Sequence, residues 1–151
     1  MSLRERLSTA LKEAMKARDA DRLSTLRLIN AAIKDREIAD RGEGGSGIGD
    51  AEILAILGKM VKQRQDSARV YEEGGRLELA EKELAEVAVI EEFLPRQLDE
   101  AEVDAAIGAA IAETGAASIR DMGRVMAALK ARHTGQMDFA AVGPRVKARL
   151  G

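Results

Sequence analysis

The chain has 151 residues, 46% hydrophobic and 33% charged but only 2% aromatic, with a formal net charge of −2. It contains no Cys and a single His, which excludes disulfides, thiolate chemistry and a multi-histidine metal site within one chain. No apolar run approaches the roughly 20 residues that cross a bilayer, so no membrane association is expected.

The opening Met-Ser-Leu-Arg-Glu-Arg lacks the hydrophobic segment of a secretory signal, and Glu5 and Glu13 speak against a mitochondrial presequence. A cytoplasmic location is the expectation. Leu3, Leu7, Leu11 and Ala14 recur at helical spacing and predict a first amphipathic helix. Asp19-Ala-Asp21 interrupts it, with Asp21 placed to cap a second helix. That helix is marked by Leu23, Leu26, Ile29 or Asn30, and Ile33, and runs to about Asp40. Residues 42–49 hold five glycines in eight positions and read as a connector. A third helix follows from Asp50, with Ile53, Leu57, Met60 or Val61, Arg64 and Ala68 along one side, and breaks at Gly74-Gly75.

Arg76 begins a fourth helix whose expected inward residues are Leu77, Ala80, Leu84, Val87 or Ala88, and Ile90 or Glu91. Pro95 stops it near Leu94, because Pro lacks an amide and restrains its predecessor. Leu94-Pro-Arg-Gln-Leu98 is the expected boundary between domains 1–94 and 95–151. Asp99 and Glu102 then form a capping box, and Ser118 with Asp121 repeats the signal. Gly115 and Gly135 stand where helices end. Three helices are expected here, built on Val103, Ile107, Ala110 and Ile111, on Met122, Val125, Met126 and Leu129, and on Val142, Val146 and Leu150. Pro144 either opens the last helix or lies within one begun at Asp138. No segment alternates as a strand does, so the fold class is all-α.

Candidate sites are few. Gly42-Glu-Gly-Gly-Ser-Gly47 fits dinucleotide-loop spacing, yet no strand precedes it, and a connector is the better reading. Glu83 and Glu86 share a helix side and read as solvated acidic surface, while His133 suits the carboxyl end of a helix. Lys62, Asp66 and Arg69 lie on one face, and Gln63, Ser67 and Tyr71 form a second polar line. With Arg76 they frame a possible polar groove, set against a purely structural ion-pair role. Between Arg120 and Arg149 there are 7 basic and 2 acidic residues. Arg120, Arg124, Lys130, Arg132, Arg145 and Arg149 are the candidates for phosphate contact, where neutralisation releases counterions. No metal site and no cofactor are expected.

Several blocks together resemble the GatB/YqeY family in its short stand-alone form. They are 16–27 (Lys-Ala-Arg-Asp-Ala-Asp-Arg-Leu-Ser-Thr-Leu-Arg), Ala31-Ala-Ile-Lys34 with Glu37-Ile38, Lys62-Gln-Arg64 with Ser67 and Tyr71, and Gly75–Ala80 with Glu83 and Glu86. Leu94–Leu98, Asp121–Met126 and Gly135–Asp138 with Val146 complete the set. The resemblance implies an N-terminal four-helix domain followed by a three-helix domain similar to the tail of the B subunit of a tRNA-dependent amidotransferase. In the tail, Gly123 is expected to permit close helix approach, Asp138 to cap the last helix, and Arg124 to be the best phosphate contact. Gln136-Met137 departs from the family's usual basic residue followed by Ala, and Phe93 stands where Tyr is usual.

The leading expectation is a non-catalytic accessory protein connected with tRNA or an aminoacyl-tRNA amidotransferase assembly. A component with carbon–nitrogen ligase activity, using glutamine as amido-N donor, is one alternative. A protein–protein adaptor without nucleic-acid binding is the other. Oligomeric state is not legible in the sequence.

Overall fold

Ser2 opens the first helix by accepting a hydrogen bond from the Glu5 amide at 3.2 Å, while Glu5 reaches back to the Ser2 amide. In the computed structural model, which describes residues 2–42, 44–45 and 47–151, the chain is all-α. It divides into two units, Met1–Pro95 and Arg96–Gly151.

The first unit holds α1 (Leu3–Ala17), α2 (Ala20–Gly42), α3 (Asp50–Glu73) and α4 (Leu77–Glu91). Arg18 ends α1 in the left-handed conformation, φ 56°, and its amide bonds back to Ala14 and Met15. Asp19, not Asp21, caps α2: its carboxylate accepts from the Arg22 amide at 3.2 Å. The turn between α1 and α2 is that short, so Asp21 already lies inside the first helical turn, where its charge faces the amino end of the helix dipole. α3 begins on Gly49, whose amide donates to Glu52 at 2.9 Å, and closes on Gly74-Gly75. Glu43 and Ser46 of the connector lie outside the described residues. Around them, Asp40 accepts from the Gly45 and Gly47 amides, at its carbonyl and carboxylate respectively. A side chain at Gly45 would run into the Asp40 carboxylate, which would have to move aside.

One core joins the four helices, centred on Leu26, Ile29, Ile53, Leu57 and Ile90. Ala80, Val87 and Ile90 supply α4's buried face, as expected. Leu77 and Leu84 do not: they are 60% and 44% exposed. The apolar stripe of α4 is wider than the surface α2 and α3 cover, and these two leucines fall on its outer margin. Phe93 is buried beyond the end of α4, with the Arg6 guanidinium 5.6 Å above its ring.

The second unit holds α5 (Glu100–Thr114), a 3-10 turn (Ile119–Asp121), α6 (Met122–His133) and α7 (Phe139–Leu150). Asp99 and Glu102 form the expected box, and Gly115 closes α5 at φ 66°. The Ser118–Asp121 box closes the 3-10 turn, and α6 grows directly out of it. Asp138 caps α7 through the Ala140 amide at 3.1 Å, which leaves Pro144 inside the helix. Gly123 has open space where a Cβ would sit, so it permits no close helix approach. Gly143 is buried beside Met122, whose terminal methyl would lie 3.7 Å from a Cβ there. Ile107, Val125, Leu129 and Val146 form its core.

Candidate functional site

Four of the six C-terminal candidate cations are committed to the unit's own structure. Arg124 donates to Asp121 at 2.6 Å and to the Thr114 carbonyl at 3.0 Å, tying the 3-10 turn to the end of α5. Arg132 pairs with Glu113 at 2.7 Å. Arg145 pairs with Asp104, and Arg149 donates to the Asp104 carbonyl at 2.9 Å, so both clamp α7 onto α5. Gly108 leaves room for the Arg149 guanidinium, which would stand 3.2 Å from a Cβ there. Exposed Arg120 and Lys130 make no side-chain ion pair among the described residues, and neither does exposed Lys147.

Two carboxylates of this unit, Asp121 and Glu102, are held well below their ordinary values. The Ala117 amide, then Arg124 and the Ser118 amide, hold Asp121 down to about 2. Arg96 and then the Asp99 amide hold Glu102 down to about 2, and Arg96 is raised in return. His133 is half-buried with Nδ1 3.0 Å from Gln136 Oε1. Gln136 also donates to the Arg96 carbonyl at 3.2 Å, and its own carbonyl accepts from the Leu98 amide. The departure at 136 from a basic residue thus serves an anchor that ties segment 96–98 to the turn after α6.

The residues of the expected polar groove do not converge with Arg76. Asp66 and Arg69 form an exposed pair at 3.7 Å, Lys62 and Gln63 are exposed, and Ser67 and Tyr71 are half-buried. Tyr71 meets Arg76 through backbone only, its carbonyl accepting the Arg76 amide at 2.8 Å. Arg76 lines a shallow depression of about 470 Å³ whose other walls are Gly75, Leu77, Glu78 and Leu79. The tight Gly74-Gly75 turn keeps it away from the side chains of 62–69.

Two arrangements went unread in the sequence. Arg64, at an inward position of α3, meets Glu86 of α4 at 3.5 Å, both side chains largely buried. Glu86 is therefore not solvated surface. A groove of about 480 Å³ lies between α1 and α2, floored by Leu7, Leu11 and Ile33 and edged by Ser8, Asn30, Lys34 and Arg41. At one end Arg4 pairs with Glu37 and donates to the Ile48 carbonyl at 3.2 Å. The signal was present in the spacing of Lys34, Glu37 and Ile38, whose partner helix the sequence does not specify. Neither place gathers a nucleophile with a base, and among the described residues no three His, Cys, Asp or Glu side chains form a metal-ligand group. No described helix is long and apolar enough to cross a membrane.

A family model described as "Yqey-like protein" matches residues 4–150. Curated relatives include "Altered inheritance of mitochondria protein 41, mitochondrial" of Clavispora lusitaniae, 40% identical over 88 residues, which cover 58% of this chain and 49% of the relative. The Lachancea thermotolerans protein of the same name is 30% identical over 109 residues, 71% of this chain and 57% of its own. That of Kluyveromyces lactis is 32% identical over 87 residues, 58% and 45%. The chain spans about half the length of these relatives. Their mitochondrial names overturn the cytoplasmic expectation. That expectation rested on composition and a short opening segment, and neither fixes the compartment of a helical protein.

Proposed function

The chain belongs to the Yqey-like protein family, and on that premise we propose that it is a non-catalytic accessory protein of tRNA or tRNA-dependent amidation. The observation that carries this reading is the surplus of uncommitted positive charge in the second unit. Arg120 and Lys147 sit at one end of that unit: the carboxyl end of α7 approaches the 3-10 turn, with a Cβ at Gly151 falling 4.0 Å from Ile119. Lys130 lies about 12 Å further along α6, counting 1.5 Å per residue. Such spacing suits a phosphate backbone, and the scarcity of aromatic residues favours reading of shape over stacking on bases.

The test is electrophoretic mobility with uncharged and misacylated tRNA across a salt series. Micromolar or tighter association is expected, weakening steeply with salt. Replacing Arg120, Lys130 and Lys147 by Ala should together reduce the log–log salt slope by about 2–3, near one for each phosphate no longer neutralised. Arg124→Ala should instead lower stability. Absent or salt-independent association at micromolar protein would end the proposal. Against direct amide transfer stand the lack of Cys and, among the described residues, of a nucleophile gathered with a base. With glutamine, ATP, magnesium and misacylated tRNA, the purified chain alone is expected to form no amide.

A further inference from the structure

α2 and α4 each carry an exposed row of side chains that is unused within the first unit. On α2 it runs Arg27, Ala31, Lys34, Ile38, Arg41; on α4 it runs Leu77, Glu81, Leu84, Ala88, Glu91. Both rows step by four, three, four and three residues, so each forms one nearly straight stripe on its helix. All ten residues are exposed, with Ile38 at 58% and Leu77 at 60%. The α2 row has no carboxylate and the α4 row no cation. None of the charged groups in the two rows makes an ion pair among the described residues.

We propose that these two rows dock on each other between two copies of this chain, α2 of one against α4 of the next, with the helices antiparallel. Setting Ile38 against Leu77 brings Lys34 opposite Glu81 and Ala31 opposite Leu84. Arg27 then falls beside Ala88, within a turn of Glu91, and Arg41 falls at the turn that carries Glu73. Apolar meets apolar at two steps, Lys34 meets Glu81 directly, and each of the two end cations comes within a turn of a carboxylate. Aliphatic side chains placed among the cations suit a helix better than a phosphate backbone. An unrelated acidic helix could satisfy the α2 row alone, whereas a second copy satisfies both rows at once. Each contact joins two different faces, so the association is head to tail and either closes into a ring or extends. The salt-exposed charges and modest apolar area make it weak and ionic-strength dependent.

Sedimentation velocity from 5 to 500 µM (roughly micromolar to submillimolar, the range of weak, transient contacts) tests this. The weight-average mass is expected to rise with concentration at low salt and to return to that of one chain in high salt. Lys34→Glu and Glu81→Lys should each abolish the rise, and mixing these two variants should restore it, since each then offers the charge the other needs. Leu84→Gln, on the exposed face, should weaken it without touching charge, and circular-dichroism melts of all variants check that they remain folded. One chain at every concentration, association indifferent to Lys34→Glu, or failure of the mixed variants to recover would overturn the proposal.

Discussion

Arg64 and Glu86 illustrate what a side chain gains and risks when it leaves water. Their charged groups stand 3.5 Å apart at the α3–α4 contact, with 16% and 17% of the side chains exposed. Arg64 donates from another nitrogen to the Met60 carbonyl at 3.2 Å, but its buried Nε has no hydrogen-bond partner. A pair so largely desolvated contributes little beyond an apolar pair of the same size, yet removal of one member strands the other. Glu86→Ala should therefore lower stability by about 2–3 kcal/mol, a little under the usual cost for a fully buried pair. Arg64→Met combined with Glu86→Leu should recover most of that loss. Urea denaturation of the two variants decides it, and a neutral Glu86→Ala would mean that water reaches the pair. Neither partner announces the other across more than five turns of intervening chain, which is why Glu86 reads from the sequence as one more surface acid.

At the scale of the helix, the ends are where local chemistry dominates, and there the sequence is legible. The Asp99–Glu102 box, the Gly115 stop and the Gly74-Gly75 break all depend on residues within a few positions of each other. Faces are less legible, because the width of an apolar stripe does not say how much of it a neighbour covers. Leu77 and Leu84 look inward by period and are outward in fact. The ion pairs of Arg132 and Arg145 are hidden from the sequence for a related reason: their carboxylate partners, Glu113 and Asp104, sit on another helix. Arg18 is an end the sequence does not mark, being a non-glycine residue at φ 56° among the described residues. A left-handed L-residue costs about 1 kcal/mol that glycine avoids. Arg18 also makes no side-chain hydrogen bond or ion pair among the described residues that would offset the cost. Arg18→Gly is expected to stabilise the protein by about 0.5–1 kcal/mol, after allowance for glycine's larger unfolded-state entropy. Thermal and urea midpoints that fall instead would assign Arg18 a contact beyond capping.

Across the whole molecule, the two depressed carboxylates both belong to the second unit, whose core is small. Glu102 closes the start of α5 against Arg96 at 2.6 Å, and Asp121 joins the 3-10 turn to Arg124. Each is held at about 2, below ordinary values of 4.5 and 3.8. A depressed carboxylate binds fewer protons when folded than when unfolded. Its stabilising effect is thus complete above the unfolded value and disappears as pH falls through the folded one. The second unit should hold its stability down to about pH 4.5 and lose these two contributions between there and about pH 2. Hydrogen exchange read by mass spectrometry should show amides of 99–124 accelerating over that interval relative to their behaviour at neutral pH, after correction for intrinsic rates. Glu102→Gln together with Asp121→Asn removes the titrating groups while retaining part of the cap. The variant should be less stable at neutral pH, with a flatter acid response over the same amides. An acid profile in that segment unchanged by the double substitution would show that other groups govern it, and that these caps hold the unit by shape rather than by charge.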